Sequence, residues 1–212
     1  MKIWVTGLNH RTAPVSVRER LAFGQGELQH ALAELRTRPG VVEGMILSTC
    51  NRVEVAVTAE DDADMQSSVH NFLCEAKRMD APGLEPHLYT YEGREAIRHI
   101  FRVAASLDSM VVGEPQILGQ LKSAYSLAKE QGAATGLLDT VIMRAFAVAK
   151  RVRTETDIGV SAVSVSYAAV ELAREIFGSL KQQRVMLIGA GKMSELAARH
   201  LQRSGDMRES DA

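Results

Sequence analysis

Two apolar runs near residues 44–49 and 53–58, separated only by a short polar connection, constrain the fold of this chain more than any other feature. The first run contains Met-Ile-Leu at 45–47, which has the character of a buried strand. In the second run, valines alternate with other residues, which is the period of a half-buried strand. Cys50 therefore falls in a connection between two strands, beside Arg52.

Cys50 has two possible roles. A polar connection next to a guanidinium group favours the thiolate, which is the form that attacks carbonyl carbon. Buried free cysteine is also common, so a structural role stays open. Cys74 is the only other cysteine, and it flanks a predicted apolar helix stripe, which indicates a structural residue. Two cysteines exclude a disulfide framework and a zinc site with paired-cysteine spacing.

The elements around these two runs complete the order βαββαβ. A strand over residues 2–8 and a helix over 27–35 precede them, and a helix near 64–78 and a short strand at 88–91 follow them. This order is that of a ferredoxin-like split β-α-β sandwich. We therefore expect an α+β domain built on such a sandwich.

From Glu95 onward, successive apolar stripes predict one helix after another. One helix starts at Glu114 and Pro115, with Gly132 just past its end, and the last runs over 163–177. The chain then returns to an α/β pattern, with an apolar strand predicted at 184–188.

A glycine-rich turn follows this predicted strand and leads into another helix. Its residues are Gly189, Ala190, Gly191, Lys192, Met193 and Ser194. Such a turn allows close approach of a pyrophosphate to the N–H groups of a helix N-terminus, although an ordinary strand-to-helix turn has the same outline. No second apolar strand follows Gly205, so we expect only the first β-α unit of a truncated Rossmann-like α/β domain, with unpaired strand edges.

Charge and hydropathy narrow the possible partners. The chain has 25 Lys and Arg against 26 Asp and Glu, so contact with nucleic acid requires a local basic patch. No apolar run approaches membrane-spanning length and the N-terminus lacks a signal-peptide core. These features predict a soluble cytoplasmic protein without membrane contact.

Five motifs, in order along the chain, resemble those of the glutamyl-tRNA reductase family. They are Gly7–Val15, Ser48–Arg52, Leu107–Gln120, Ala149–Gly159 and Gly189–Gly191. The resemblance implies a catalytic glutamyl-tRNA-binding domain over 1–155 and a partial NADPH-binding Rossmann domain over 156–212, without the family's C-terminal dimerisation domain.

The resemblance also implies a reaction. Cys50 would take the glutamyl group of glutamyl-tRNA(Glu) as a thioester, and NADPH would reduce it to glutamate-1-semialdehyde, the first step of five-carbon tetrapyrrole (porphyrin) biosynthesis. His99 would move a proton or position the substrate, whereas the sequence pattern alone favours a solvated or capping histidine. The role of His10 stays open.

The remaining implied site residues fall into two groups, and no metal site is expected. The residues expected to bind substrate are Thr49, Asn51, Arg52, Ser109, Glu114, Pro115, Gln116 and Gln120. The residues expected to bind the cofactor are those of the glycine-rich turn at 189–194. Arg52 would read the glutamate carboxylate and Glu114 the ammonium group.

Further partners and one alternative function complete these expectations. The family implies a homodimer through its C-terminal domain, and the downstream aminomutase as a partner. Lys150, Arg151 and Arg153 would contact the tRNA backbone or form a solvated helix end. The alternative function is a truncated, reductase-incompetent glutamyl-tRNA-binding fragment, limited to thioester formation or ester hydrolysis.

Overall fold

The computed structural model describes residues 1–60, 64–159, 165–180, 183–189 and 191–203. Its strands are β1 (Lys2–Asn9), β2 (Val41–Ser48), β3 (Arg52–Ala59) and β4 (Tyr89–Glu92). Its helices are α1 (Val15–Leu21), α2 (Gln25–Arg36), α3 (Met65–Lys77), α4 (Ala81–Leu84), α5 (Gly93–Ala104), α6 (Gln116–Glu130), α7 (Leu137–Glu155), α8 (Val165–Phe177) and α9 (Lys192–Arg203). Single 3-10 turns occur at Glu85–His87 and Asp157–Gly159.

The four strands form one sheet in the order β2-β3-β1-β4, and all neighbouring strands are antiparallel. The predicted α+β architecture, a sheet with helices followed by further helices, is confirmed. The three-residue connection at 49–51 joins β2 to β3, as the sequence indicates. The helix α1 lies in a segment for which the sequence predicted no element, and of its residues only Leu21 is buried.

β1 and β3 approach each other closely at Gly7. A Cβ atom built on Gly7 would lie 2.2 Å from the carbonyl oxygen of Val53 and 2.8 Å from the Cα of Glu54. Real Cβ contacts are never this short, so the register of these two central strands requires glycine here. The contact lies at the end of β3 that follows the Cys50 connection.

Glu43 joins the sheet to the helical half of the molecule. Its carboxylate accepts hydrogen bonds from the backbone N–H groups of Thr135, Gly136 and Leu138 at 2.8, 2.6 and 2.9 Å, and from the Thr58 hydroxyl at 2.9 Å. A carboxylate is favoured at this N-terminus of α7. Burial raises the pKa of Glu43, but these donors outweigh burial and lower it overall. The ionised form is therefore the one that the fold uses.

The C-terminal part packs separately, around Val170, Leu180 and Leu201. The strand predicted at 184–188 is wrong for the described residues, because 183–189 contains no strand and the side chains of Met186 and Ile188 are 80% and 85% exposed. A strand requires a hydrogen-bonded neighbour, and an apolar run alone does not supply one. The helix predicted after the glycine-rich turn is present as α9.

One predicted helix boundary in this part falls on residues that the structure does not describe. The helix predicted to start at 163 is α8, which begins at Val165, and residues 160–164 lie outside the described residues. Among the described helices, none is both long enough and apolar enough to cross a membrane.

Candidate active site

The connection that carries Cys50 is held in a fixed turn by Thr49. The Thr49 hydroxyl accepts hydrogen bonds from the backbone N–H groups of Asn51 and Arg52, both at 3.1 Å, and the Thr49 N–H donates to the Arg52 carbonyl at 2.8 Å. Short side chains that bond to the backbone two or three residues on are typical of tight turns. Cys50 is exposed at the tip of this turn, so its thiol is accessible to a substrate.

A pocket of about 320 Å³ lies against the turn. Its other walls are the loop between α5 and α6, the first turns of α6, and one residue of α9. The lining residues are Thr49, Cys50, Asn51, Arg52, Ser109, Met110, Glu114, Gln116, Ile117, Gln120 and Met193. The structure therefore brings Cys50 together with seven of the eight residues expected to bind substrate. The eighth, Pro115, is the residue that precedes α6 and does not line the pocket.

Ser109 is a polar group in this pocket without a partner. It is buried, and among the described residues its Oγ atom has no hydrogen-bond partner. An unsatisfied buried hydroxyl costs on the order of 1–3 kcal/mol. A bound molecule that offers a polar atom at this point would recover that free energy.

Arg52 is buried beneath the pocket and its guanidinium group already has protein partners. Nη1 donates to Glu54 Oε1 at 2.7 Å, and Nη2 donates to the carbonyl oxygen and Oδ2 of Asp108 at 2.6 and 3.1 Å. Burial lowers the pKa of Arg52, but the Glu54 carboxylate and the other nearby groups raise it overall. The side chain supports the turn and the α5–α6 loop, and these contacts occupy both terminal nitrogens that were expected to read a substrate carboxylate.

His99 belongs to the same buried cluster. Its Nε2 lies 2.8 Å from Glu54 Oε1, which also accepts a hydrogen bond from the Tyr89 hydroxyl, and its ring packs against Tyr91 with centroids 4.8 Å apart. Burial raises the pKa of Glu54, but Arg52, His99 and Tyr89 lower it to about 2. Burial and the Glu54 charge together raise the pKa of Tyr89.

The interpretation of His99 as a solvated or capping histidine is wrong, because the side chain is buried. It does not line the Cys50 pocket. Its link to the pocket runs through Glu54 and Arg52. Sequence reasoning missed the central residues of this cluster, Glu54 and Asp108, although the alternation of β3 places Arg52 and Glu54 on one face of the sheet.

The three basic residues near the end of α7, Lys150, Arg151 and Arg153, have different surroundings. Arg153 Nη2 donates to Ser106 Oγ and to the Glu114 carbonyl, both at 2.7 Å, and so holds the α5–α6 loop in place. Arg151 pairs with Glu155 at 2.9 Å on the exposed face of the helix. Arg153 therefore acts on the protein itself, while Lys150 remains exposed.

The glycine-rich turn approaches the pocket from the C-terminal part. Gly189 has a φ of 103°, which favours glycine, and the Glu195 N–H donates to the Gly191 carbonyl at 3.1 Å in the first turn of α9. Gln116 Nε2 lies 3.5 Å from Met193 Sδ, so Met193 links α9 to the pocket. The expected residues Ala190 and the side chain of Lys192 lie outside the described residues.

Comparison with known proteins gives two family matches. Residues 6–156 match the model described as "Glutamyl-tRNAGlu reductase, N-terminal domain". Residues 171–208 match the model described as "Shikimate / quinate 5-dehydrogenase". The first match covers most of the chain.

Individual relatives agree with the first match. A glutamyl-tRNA reductase of Solibacter usitatus is 63% identical over 205 residues, which are 97% of this chain and 49% of that protein. The corresponding protein of Syntrophotalea carbinolica is 56% identical over 201 residues, which are 95% of this chain and 45% of that protein. The solved glutamyl-tRNA reductase of Methanopyrus kandleri superimposes with a TM-score of 0.64 at 35% identity, and covers 95% of this chain and 46% of its own. The chain thus spans about half the length of these relatives.

Proposed function

This chain belongs to the glutamyl-tRNA reductase family, and we propose that residues 1–155 form a catalytic domain that takes the glutamyl group of glutamyl-tRNA(Glu) onto Cys50. In the proposed pathway the glutamyl group is then reduced to glutamate-1-semialdehyde for tetrapyrrole biosynthesis. The observation that carries the proposal is the pocket in which an exposed thiol meets seven polar or charged site residues from two distant segments of the chain.

The acyl-transfer step follows from the chemistry of the thiol. The Cys50 thiolate attacks the carbonyl carbon of the aminoacyl ester, a C–S bond forms, and the C–O bond to the terminal ribose of the tRNA breaks. The thiol gives up its proton to solvent when the thiolate forms, the departing ribose oxygen takes up a proton from solvent, and the glutamyl group remains as a thioester. A thioester carbonyl is less stabilised by resonance than an ester carbonyl, so it accepts hydride more readily.

The pocket residues have distinct proposed roles. Ser109 and the amides of Gln116 and Gln120, four residues apart on one face of α6, would contact the polar atoms of the glutamyl group. The buried Glu114 would pair with its ammonium group. Thr49 holds the turn that presents the nucleophile.

Arg52 and His99 stabilise the Cys50 turn and the pocket through buried contacts. Both bond to Glu54, and Arg52 also bonds to Asp108, which is next to Ser109 in the chain. We assign His99 a positioning role through Glu54, because it does not line the pocket. Its loss would disturb the turn and the pocket rather than remove a group that contacts substrate.

NADPH would bind at residues 189–194, the start of a Rossmann-like unit within 156–212. The positive φ of Gly189 and the start of α9 at Lys192 support this assignment, because a glycine turn before a helix N-terminus is the arrangement that binds a pyrophosphate group. When bound, the cofactor supplies hydride. Met193 supports this assignment, since it belongs to the same turn and lines the Cys50 pocket.

A second function is favoured by the state of residues 183–189. In the described residues no strand forms there, and the apolar side chains of Val185–Ile188 are exposed. On this ground the polypeptide 1–212 would bind glutamyl-tRNA and form or hydrolyse the thioester without reducing it. NADPH oxidation during incubation with glutamyl-tRNA separates the two functions, since only a reductase consumes the cofactor.

The acyl transfer is tested by mass spectrometry after incubation with glutamyl-tRNA. We expect a glutamyl adduct on the peptide that contains Cys50, its absence in Cys50→Ser, and its persistence in Cys74→Ser. Cys74 is the matched control because it is the other cysteine, and burial raises its pKa. An adduct on Cys74 alone, or none on either cysteine, would refute the proposal.

A further inference from the structure

A groove of about 670 Å³ runs between α5 and α7, outside the Cys50 pocket. It is lined by residues from both helices and by the start of the α5–α6 loop. These residues are Arg94, Glu95, Ile97, Arg98, Phe101, Arg102, Ala105, Leu107, Val148 and Val152. The groove shares none of its lining residues with the pocket, so the proposed acyl transfer does not account for it.

Three arginines form the positively charged edge of this groove. Arg94, Arg98 and Arg102 follow one another at intervals of four residues, so they lie along one face of α5, and all three are exposed. Successive members are about 6 Å apart along the helix axis, so the row presents its positive charge along a line and not at one point. His99 and the other buried residues of α5 occupy the opposite face.

These guanidinium groups make few ion pairs with the described residues of the protein. Within the described parts of the chain, Arg94 and Arg102 have no ion-pair partner, and Arg98 makes only an exposed contact of 3.8 Å with Glu95. An exposed pair of this kind contributes at most about 1 kcal/mol. The whole chain carries a formal net charge of −1, so this row is a local basic patch on a protein without a positive overall charge.

The floor of the groove is apolar. Ile97 and Phe101 of α5 and Val148 and Val152 of α7 are half-buried along it. An apolar floor beside a row of arginines suits a ligand that presents both phosphates and sugar or base faces, because each surface then meets a matching one.

The α5–α6 loop contributes residues to both the groove and the Cys50 pocket. Leu107 lines the groove, and Ser109 and Met110, two and three residues later, line the pocket. Between them Asp108 bonds to Arg52, which fixes the path of the loop. The two cavities are therefore lined by neighbouring residues of one loop, as a ligand that occupies both would require.

We propose that the groove between α5 and α7 binds the phosphate backbone of the tRNA acceptor end, with Arg94, Arg98 and Arg102 as the phosphate contacts. This inference rests on the proposed function, which places the 3′ end of tRNA in the pocket. In this proposal the groove contributes to the binding of the tRNA, and the pocket carries out the acyl transfer.

The test measures the dissociation constant of uncharged tRNA(Glu) for the chain 1–212 over a range of salt concentrations. Replacement of the three arginines by glutamine should weaken binding about tenfold or more at low salt, and reduce the slope of log affinity against log salt by about 2–3. The Arg→Lys triple variant keeps the charges and should retain most of the slope. Because all three side chains are exposed, the fold should persist, which circular dichroism verifies.

A second triple variant distinguishes the effect of the groove arginines from the effect of the protein's total charge. Arg20→Gln, Arg36→Gln and Lys122→Gln remove the same charge from exposed positions on α1, α2 and α6. Equal losses in the two glutamine variants would overturn the proposal, and so would unchanged binding in the groove variant, which would instead assign the groove to a protein partner. A Cys50 adduct that forms while the groove variant binds normally would refute the groove alone and leave the proposed acyl transfer standing.

Discussion

Arg52 and Glu54 form an ion pair at 2.7 Å in which both side chains are buried, directly behind the turn that carries Cys50. A buried charge that loses its partner is costly, because the remaining charge has neither water nor a counterion. The pair therefore couples the stability of the sheet to the geometry of the candidate site.

Glu54→Gln should lower the free energy of unfolding by about 2–4 kcal/mol. The amide keeps a hydrogen-bonding oxygen but leaves Arg52 with Asp108 as its remaining anionic partner. Urea denaturation monitored by circular dichroism measures the change. Glu155→Gln, which removes the exposed partner of Arg151, is the matched control and should change stability by less than about 0.5 kcal/mol. Equal stabilities of the two variants would contradict this account of the pair.

Stability should depend on pH in the acid range because of Glu54. Its pKa falls from the ordinary value of 4.5 to about 2 in the fold. The unfolded state therefore binds the proton first as pH falls, and stability is complete above about 4.5 and lost progressively toward 2. The contribution is about 3 kcal/mol at most. Unfolding free energies measured between pH 2 and 6 should show a smaller decline in Glu54→Gln than in the wild type, with the rest due to groups such as Glu43, whose pKa is also lowered. An identical decline would show that Glu54 is not the group that titrates.

The two cysteines should differ in reactivity. Cys50 is exposed, whereas burial raises the pKa of the half-buried Cys74 and so reduces its thiolate fraction. With limiting iodoacetamide at pH 7.5, peptide mass spectrometry should show Cys50 alkylated about tenfold or more faster than Cys74. After unfolding in urea the two rates should converge, which serves as the internal control. Faster alkylation of Cys74 in the folded protein would disprove this ordering.

Gly7→Ala should destabilise the protein by about 1–3 kcal/mol or more, because the added Cβ would lie 2.2 Å from the Val53 carbonyl oxygen. Gly119→Ala is the control, since Gly119 lies within α6 and an added Cβ there meets no atom within 4 Å. That substitution should stabilise the helix by about 0.5–1 kcal/mol. Thermal unfolding of both variants measures the difference, and a stable Gly7→Ala protein would show that β1 and β3 can move apart.

Local pattern predicted the elements of the sheet well. The alternation at 53–58 and the apolar run at 45–47 placed β2, β3 and the Cys50 turn, because strand period and turn chemistry are properties of neighbouring residues. The apolar run at 184–188 was wrongly predicted as a strand, because strand formation is not a property of neighbouring residues alone. Whether an apolar run pairs depends on a partner strand, which local sequence does not contain.

For the candidate site too, the sequence predicted one part and missed another. The motifs predicted which residues line the pocket, but not the partners of Arg52 and His99. Asp108 lies 56 residues from Arg52, and Glu54 lies 45 residues from His99. Contacts over such separations arise from the tertiary fold. Burial of His99 followed from those contacts and could not be read from its position on one helix.

The carboxylate of Glu43 has a consequence for how this protein can be divided. It accepts hydrogen bonds from three backbone N–H groups that lie 92 to 95 residues further along the chain, those of Thr135 and Gly136 just before α7 and that of Leu138 in its first turn. A minimal sheet cut out of the chain before Thr135 would keep this buried anion but lose three of its four hydrogen-bond donors among the described residues. We therefore expect the β-sheet to need the segment that leads into α7, so any engineered miniature of the sheet has to extend at least into the first turn of that helix.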